Sequence, residues 1–177
     1  MITPIEQELI TVNDNDEKTG TTSKSEAHRL GILHRAFSVL IFDTEGKMLL
    51  QKRADQKYHS GGLWTNACCS HPRPDETTIE AAHRRLQEEM GFDCPLSYIY
   101  KFKYFANLDN DMIEHEMDHI FVGTYSGNII PDPDEVSSFT YLTLDDISSR
   151  IQQEPQSFTI WFKIIFQHYM DHLNTKS

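Results

Sequence analysis

Apolar residues recur along this chain with two periods, and the alternation of those periods predicts its elements. Ile79, Ala82, Leu86 and Met90 fall at helical spacing and predict a helix with one buried stripe. Thr77 and Glu80 have the spacing of a capping box, and Gly91 is a natural C′ residue, so the helix should run between them. On it, Arg84 and Glu88 are one turn apart, as are Arg85 and Glu89. Ahead of this helix, Ala36 to Phe42 is apolar and β-rich, Asp43-Thr44-Glu45-Gly46 is a turn, and Lys47 to Arg53 returns, which reads as a hairpin. After the helix, Pro95 to Asn107 reads as a long strand rich in Tyr and Phe. Leu108 to Asp111 reads as a turn, and Ile113 to Thr124 as an antiparallel partner. Phe139 to Leu142 reads as a short strand, and Leu144 to Gln153 as a short helix stopped before Pro155. Thr159 to Asn174 is an amphipathic helix in which Trp161, Ile164, Ile165 and Tyr169 have core spacing. By spacing alone Trp161 is a plain core residue.

The first 23 residues break the pattern. They are polar and rich in Thr, Asp and Glu, and are expected to form a flexible or partly ordered arm, with Ile5, Leu9, Ile10 and Val12 able to form a short strand. Residues 24–177 are expected to form a single domain, the default for a chain of 177 residues. A 38% apolar and 24% charged composition is that of a soluble globular protein. The net charge of -11 makes nucleic acid and anionic membranes poor partners. An anionic small molecule would need a local basic pocket or bound cations. Met1 to Glu17 is acidic and lacks the apolar core of a signal peptide, and no apolar run is long enough to span a membrane. Cys68, Cys69 and Cys94 are an odd set with two adjacent thiols, which is no disulfide framework and no zinc-ligand spacing. They point to a reducing, cytoplasmic location. The chain is expected to act as a monomer or weak homodimer.

Candidate chemistry clusters between Trp64 and Gly91, where Cys69, His71 and the paired Glu88-Glu89 lie close in sequence. Elsewhere the residues alone leave alternatives open. His28 and His34 precede a strand, and two such histidines raise the odds of a ligand site only slightly. Arg53 and Lys57 read as a solvated loop from charge patterning. Glu114, Glu116 and Asp118 share one face of their strand, and spacing alone favours surface residues of an edge strand.

The motifs resolve these alternatives by resemblance. Glu76, Arg84, Leu86, Glu88, Glu89, Gly91 and Phe92 resemble the Nudix box, G-x5-E-x7-R-E-U-x-E-E-x-G-U with U aliphatic. Ser70 replaces its opening Gly, and Arg85 replaces a Glu that belongs to the metal-binding carboxylates of Nudix hydrolases. The preceding Trp64-Thr65-Asn66-Ala67-Cys68-Cys69-Ser70-His71-Pro72 looks like the type I isopentenyl-diphosphate Δ-isomerases. So do Lys24-x-Glu26-Ala27-His28, Leu33 to Val39, Glu114-x-Glu116 ten residues after Tyr104, and Phe158-Thr159-Ile160-Trp161. The resemblance runs from Lys24 to Trp161 and implies a Nudix-type α/β/α sandwich with a mixed β-sheet. It implies interconversion of isopentenyl and dimethylallyl diphosphate through a tertiary carbocation, with Cys69 and Glu116 as acid/base pair. Tyr104 would tune Glu116, and Trp161 would face the cation. It implies a site for one Zn²⁺ or Mn²⁺ at His28, His34, His71, Glu114 and Glu116. It also implies Mg²⁺ bridging the substrate diphosphate at Glu89, and Lys24, Arg53, Lys57 and Arg85 as diphosphate contacts. Arg85 in place of Glu counts against the first alternative, a Nudix hydrolase of a nucleoside diphosphate derivative. The acid/base set counts against the second, a metal-stabilised binding module without catalysis.

Overall fold

A computed structural model describes residues 6–108 and 111–176. In chain order the elements are β1 (Glu8–Val12), β2 (Lys18–Ser23), α1 (Lys24–Leu30), β3 (His34–Phe42), β4 (Met48–Arg53), β5 (Trp64–Asn66), β6 (Cys68–Ser70) and α2 (Thr78–Met90). Then come β7 (Leu96–Asn107), β8 (Ile113–Thr124), β9 (Val136–Leu142), α3 (Leu144–Gln153) and α4 (Ile160–Lys176). Ile5 and the turn residues Asp109 and Asn110 lie outside the described residues.

β3 is the hub of the mixed sheet. One edge pairs in parallel with β8 over its whole length, from His34 opposite Glu116 to Phe42 opposite Thr124. Its other edge is shared by three strands: β1 at Thr11–His34, β6 at residues 37–39 and β4 at Phe42–Met48. Such a strand is covered on both faces and both edges, which explains its near-continuous burial from Ala36 to Ile41. The expected hairpin of Ala36–Phe42 with Lys47–Arg53 is therefore corrected. β3 and β4 meet only at the turn, and β4 then diverges to pair with β5 and β9. β7 and β8 form the long antiparallel pair the sequence predicts.

Side chains alternate along β3 and fill two cores. Phe37, Val39 and Ile41 pack with Ala82, Leu86 and Met90 of α2, whereas Leu40 packs with Phe158, Phe162 and Ile165 around α4. Helices on both faces of a mixed sheet make the α/β/α sandwich. Full burial of each such Leu or Phe stabilises the fold by roughly 1.5–3 kcal/mol.

α2 begins and ends as its sequence signals. The Thr77 side chain accepts from Glu80 N while Glu80 reaches back to the Thr77 backbone. Gly91 closes the helix at φ 74°, and a Cβ there would lie 2.0 Å from the carbonyl oxygen of Ile130. That close approach docks the 130–135 loop on the end of α2, where Asp132 N donates to Glu89 O at 2.9 Å. Gly91→Ala should therefore destabilise the fold by more than about 1 kcal/mol from the positive φ alone, with the clash added. Denaturant unfolding measures this, and an unchanged midpoint would contradict the close approach.

The segment expected as an arm is, over residues 8–23, a hairpin at one end of the sheet. Leu9, Ile10 and Val12 are buried. Asp16, at the turn, holds it down. Its carboxylate accepts from Arg35 Nε at 2.8 Å, His119 Nε2 at 2.8 Å and Lys101 Nζ at 2.9 Å. This clamp fixes the chain entering α1, so Lys24 and His28 are delivered to the sheet in a set position.

Candidate active site

A cavity of about 640 Å³ opens where α1, the ends of β3, β6, β7 and β8, and α2 converge. Its walls include Lys24, His28, Arg53, Lys57, Cys69, His71, Arg85, Glu89, Tyr104, Glu114, Glu116 and Trp161. Every residue given a catalytic, diphosphate or metal role from the sequence is on that wall except His34, which is fully buried.

The sheet register builds the centre. Glu116 on β8 stands opposite His34 on β3 and opposite Tyr104 on β7. Its Oε2 accepts the Tyr104 hydroxyl at 2.7 Å, and its Oε1 lies 2.9 Å from His71 Nε2 and 3.5 Å from His34 Nε2. The surface reading of Glu114, Glu116 and Asp118 is overturned: all three are buried, because β8 is an inner strand between β3 and β7. His28 comes from α1, a short helix capped by Ser23 and ended by Gly31 at φ 64°. The sequence reading did not foresee this helix; the Ser23-x-x-Glu26 spacing and Gly31 are the signals that could have found it.

The donor set of the cluster fits a metal ion. One ligand atom each from His28, His34, His71 and Glu116 lies within 4.8 Å of all the others. His28 Nδ1 and His34 Nδ1 lie 2.7 Å and 2.8 Å from the carbonyls of Lys24 and Ile32. A carbonyl only accepts, so these nitrogens hold the ring hydrogens and leave both Nε2 atoms facing inward. His34 Nε2 and His71 Nε2 face each other at 3.2 Å. Glu114 flanks the group, its Oε2 buried, without a hydrogen bond and 3.3 Å from His28 Nε2. Converging lone pairs and an orphaned carboxylate oxygen are what a cation would satisfy.

Protonation states follow from burial and neighbours. Burial opposes charge on Glu116, yet the His34 and His71 rings beside it hold its pKa well below the usual carboxylate range. Burial pushes Glu114 up, with Glu116 adding to it. Burial drives His71 down to about 3, so it is neutral. On β6, Cys68 packs in the α2 core while Cys69 points to the other side, as an extended segment requires. The Cys69 thiol donates to Asn66 Oδ1 at 2.9 Å and lies 3.3 Å from Ser38 Oγ. Burial, with Asp118 close by, raises its pKa, so the thiol stays protonated.

Trp161 belongs to the core and to the cavity wall alike. Its indole N–H donates to Thr65 Oγ1 at 3.1 Å, and the Arg53 guanidinium lies 5.2 Å from the ring centroid. Lys24 is shifted down, first by burial and then by Lys57 and Arg53, which places three cations near one another.

Arg85 and Glu89 are each held by other side chains. Arg85 is not a free cation: NH1 donates to Glu88 at 2.7 Å, and NH2 donates to Glu89 at 2.6 Å and Glu135 at 3.3 Å. Only its Nε is unpartnered. Glu89, apart from the histidine cluster, also accepts from Gln51 Nε2 at 2.9 Å, so both its oxygens are engaged. Sequence reasoning passed over Ser38, Gln51 and Glu135, gave Asn66 only as part of its motif, and read Asp118 only as a surface residue of its strand. Asn66 was signalled by the Trp64-Thr65-Asn66 run; the others had no local signature.

The sheet, the helix at its centre and the box on that helix define a Nudix domain, and the NUDIX domain family model matches residues 32–162. Solved structures with this fold include DR0079 from Deinococcus radiodurans, with a TM-score of 0.71 and 18% identity over 84% of this chain and 90% of that one. A MutT protein from Methanosarcina mazei has a TM-score of 0.64 and 18% identity over 80% of this chain and 95% of its own. At that identity they establish the fold alone. Curated relatives are far more similar. The isopentenyl-diphosphate Delta-isomerase of Pectobacterium atrosepticum is 48% identical over 93% of this chain and 92% of its own length. Isopentenyl-diphosphate Delta-isomerase 2 of Photorhabdus laumondii is 49% identical over 89% of each. The chain belongs to the isopentenyl-diphosphate Δ-isomerase family.

Proposed function

We propose that this protein interconverts isopentenyl and dimethylallyl diphosphate, supplying isoprenoid synthesis. The observation that carries the reading is the convergence of Cys69, Glu116, Tyr104 and Trp161 on one cavity that also presents Lys24, Arg53 and Lys57. Moving the double bond requires a proton added to the terminal alkene carbon, which leaves a tertiary carbocation. A different proton then leaves the carbon on the diphosphate side. The Cys69 S–H, kept protonated by burial, is the donor, and the ionised Glu116 carboxylate is the acceptor. The reverse reaction uses the same groups with roles exchanged, and proton exchange between them resets the pair. The Tyr104 hydroxyl fixes the carboxylate by its hydrogen bond to Oε2. The Trp161 ring stabilises the cation by up to ~2 kcal/mol when desolvated. Its indole N–H is tied to Thr65, so the ring is held in place. Water, which would otherwise trap the cation, must be displaced from the cavity when substrate binds.

Lys24, Arg53 and Lys57 bind the diphosphate, with the open Nε of Arg85 as a further donor. His28, His34, His71, Glu114 and Glu116 would hold zinc or manganese, which would draw negative charge from Glu116 and tether α1; Glu89, once released from Arg85 or Gln51, would hold magnesium, which would neutralise diphosphate charge. The catalytic domain includes the residue 8–23 hairpin, because the Asp16 clamp ties it to β3, β7 and β8. The three cysteines are unpaired, which suits a reducing cytoplasm. Among the described residues no helix is long and apolar enough to cross a membrane.

The test is incubation with isopentenyl diphosphate, zinc or manganese, and magnesium, followed by product analysis. Dimethylallyl diphosphate is the expected product. Release of phosphate or of a nucleoside monophosphate from nucleoside diphosphate compounds, without isomerisation, would favour the hydrolase instead.

A further inference from the structure

We propose that Glu135 is a specificity-determining residue that makes the anion subsite accept a diphosphate with a divalent cation and reject a bare one. The inference rests on the proposed binding of diphosphate at Lys57 and Arg85. Glu135 occupies the space between those two cations. Lys57 Nζ donates to its Oε2 at 2.5 Å, and Arg85 NH2 donates to its Oε1 at 3.3 Å. Burial opposes charge on Glu135, but Lys57 and Arg85 lower its pKa and keep it ionised. Arg85 also holds Glu88 and Glu89, so this part of the cavity wall sets three carboxylates against two cations.

A bare diphosphate entering here must compete with Glu135 for the Lys57 ammonium and approach a surface of its own sign. The site is partly withdrawn from water, so removing one like-signed carboxylate should change affinity by about tenfold. A divalent cation on the diphosphate cancels two of its negative charges and so weakens that repulsion. Glu135 then faces less negative charge and Lys57 can be shared between carboxylate and phosphate. The backbone, rather than the ion pairs, sets where Glu135 sits. Ala54 N donates to its carbonyl at 2.9 Å, and its own N–H donates to Asp132 O at 3.0 Å. Neutralising the side chain therefore leaves the loop in place.

The experiment is calorimetric titration of the metal-replete full chain with inorganic diphosphate, with and without magnesium. It compares wild type, Glu135→Gln and Glu135→Asp, with thermal unfolding run on each. Wild type should bind far more tightly with magnesium than without. Glu135→Gln should gain about tenfold in magnesium-free affinity, which shrinks the magnesium ratio by the same factor. Glu135→Asp keeps the charge and should keep most of the ratio. An unchanged ratio in Glu135→Gln, or an equal change in the Asp and Gln variants, overturns the proposal, because geometry and not charge would then be the cause. Absence of diphosphate binding by wild type even with magnesium would overturn the substrate class as well. Binding with an unaltered ratio would remove Glu135 alone.

Discussion

Cys69→Ala should lower the rate of isomerisation by about 10²–10⁴-fold, the usual contribution of a positioned general acid. Its neighbour sets the control. Cys68 is fully buried among Leu86, Met90 and Phe37, on the opposite side of β6 from the cavity. Cys68→Ala should cost about 1 kcal/mol of stability and leave the rate within a few-fold of wild type. The two residues are adjacent and share a strand, so a general disturbance of β6 would affect both variants alike. A second readout separates chemistry from packing. Thermal unfolding supplies it: both variants should melt within a few degrees of wild type, and only Cys69→Ala should lose the rate. Equal losses in the two variants would show that the thiol has been assigned wrongly.

The sequence made the central layer of this molecule legible because its signals are local. The capping box of α2 and Gly91 at its end involve contacts within a few residues. Alternation along Ile113 to Thr124 placed Glu114, Glu116 and Asp118 on one face. It could not say whether that face met solvent, since that depends on β3 and β7 lying on either side. The hairpin expected from residues 36–53 failed for a similar reason. The turn at Asp43–Gly46 is real, but β3 finds a full-length partner in β8, about 80 residues away in sequence, and β4 takes β5 and β9. The amino-terminal hairpin is polar on its outer strand, and Asp16 holds it through partners as far as 103 residues away. No window of sequence contains that information. Of the candidate site, the motif residues were readable by type and spacing. The residues that set their charge were not: Ser38 beside Cys69, Gln51 on Glu89, and Glu135 on Lys57 and Arg85 meet only in three dimensions.

Removing metal should lower the melting temperature by roughly 5–10 °C. A ligand at 100 times its dissociation constant stabilises by ~2.7 kcal/mol, and 1 kcal/mol shifts a domain of this size by about 2–4 °C. The cluster gives a structural reason for an effect of that order. Without a cation, the inward Nε2 atoms of His34 and His71 face each other at 3.2 Å, and the buried Glu114 Oε2 has no hydrogen bond. A cation resolves both and ties α1 to β3 and β8 through His28, His34 and Glu116. Elemental analysis of undialysed protein should find zinc or manganese near one per chain. Chelator should lower the melting temperature, and either metal should restore it. His71→Ala removes one ligand from the middle of the cluster, so that variant should contain little metal and melt at the same temperature with or without chelator. Acid should act in the same direction as chelator, because protons compete with the metal for the imidazoles. Metal-free wild-type protein that melts unchanged and keeps full activity in chelator would mean that the cluster is a set of buried side chains and not a ligand site.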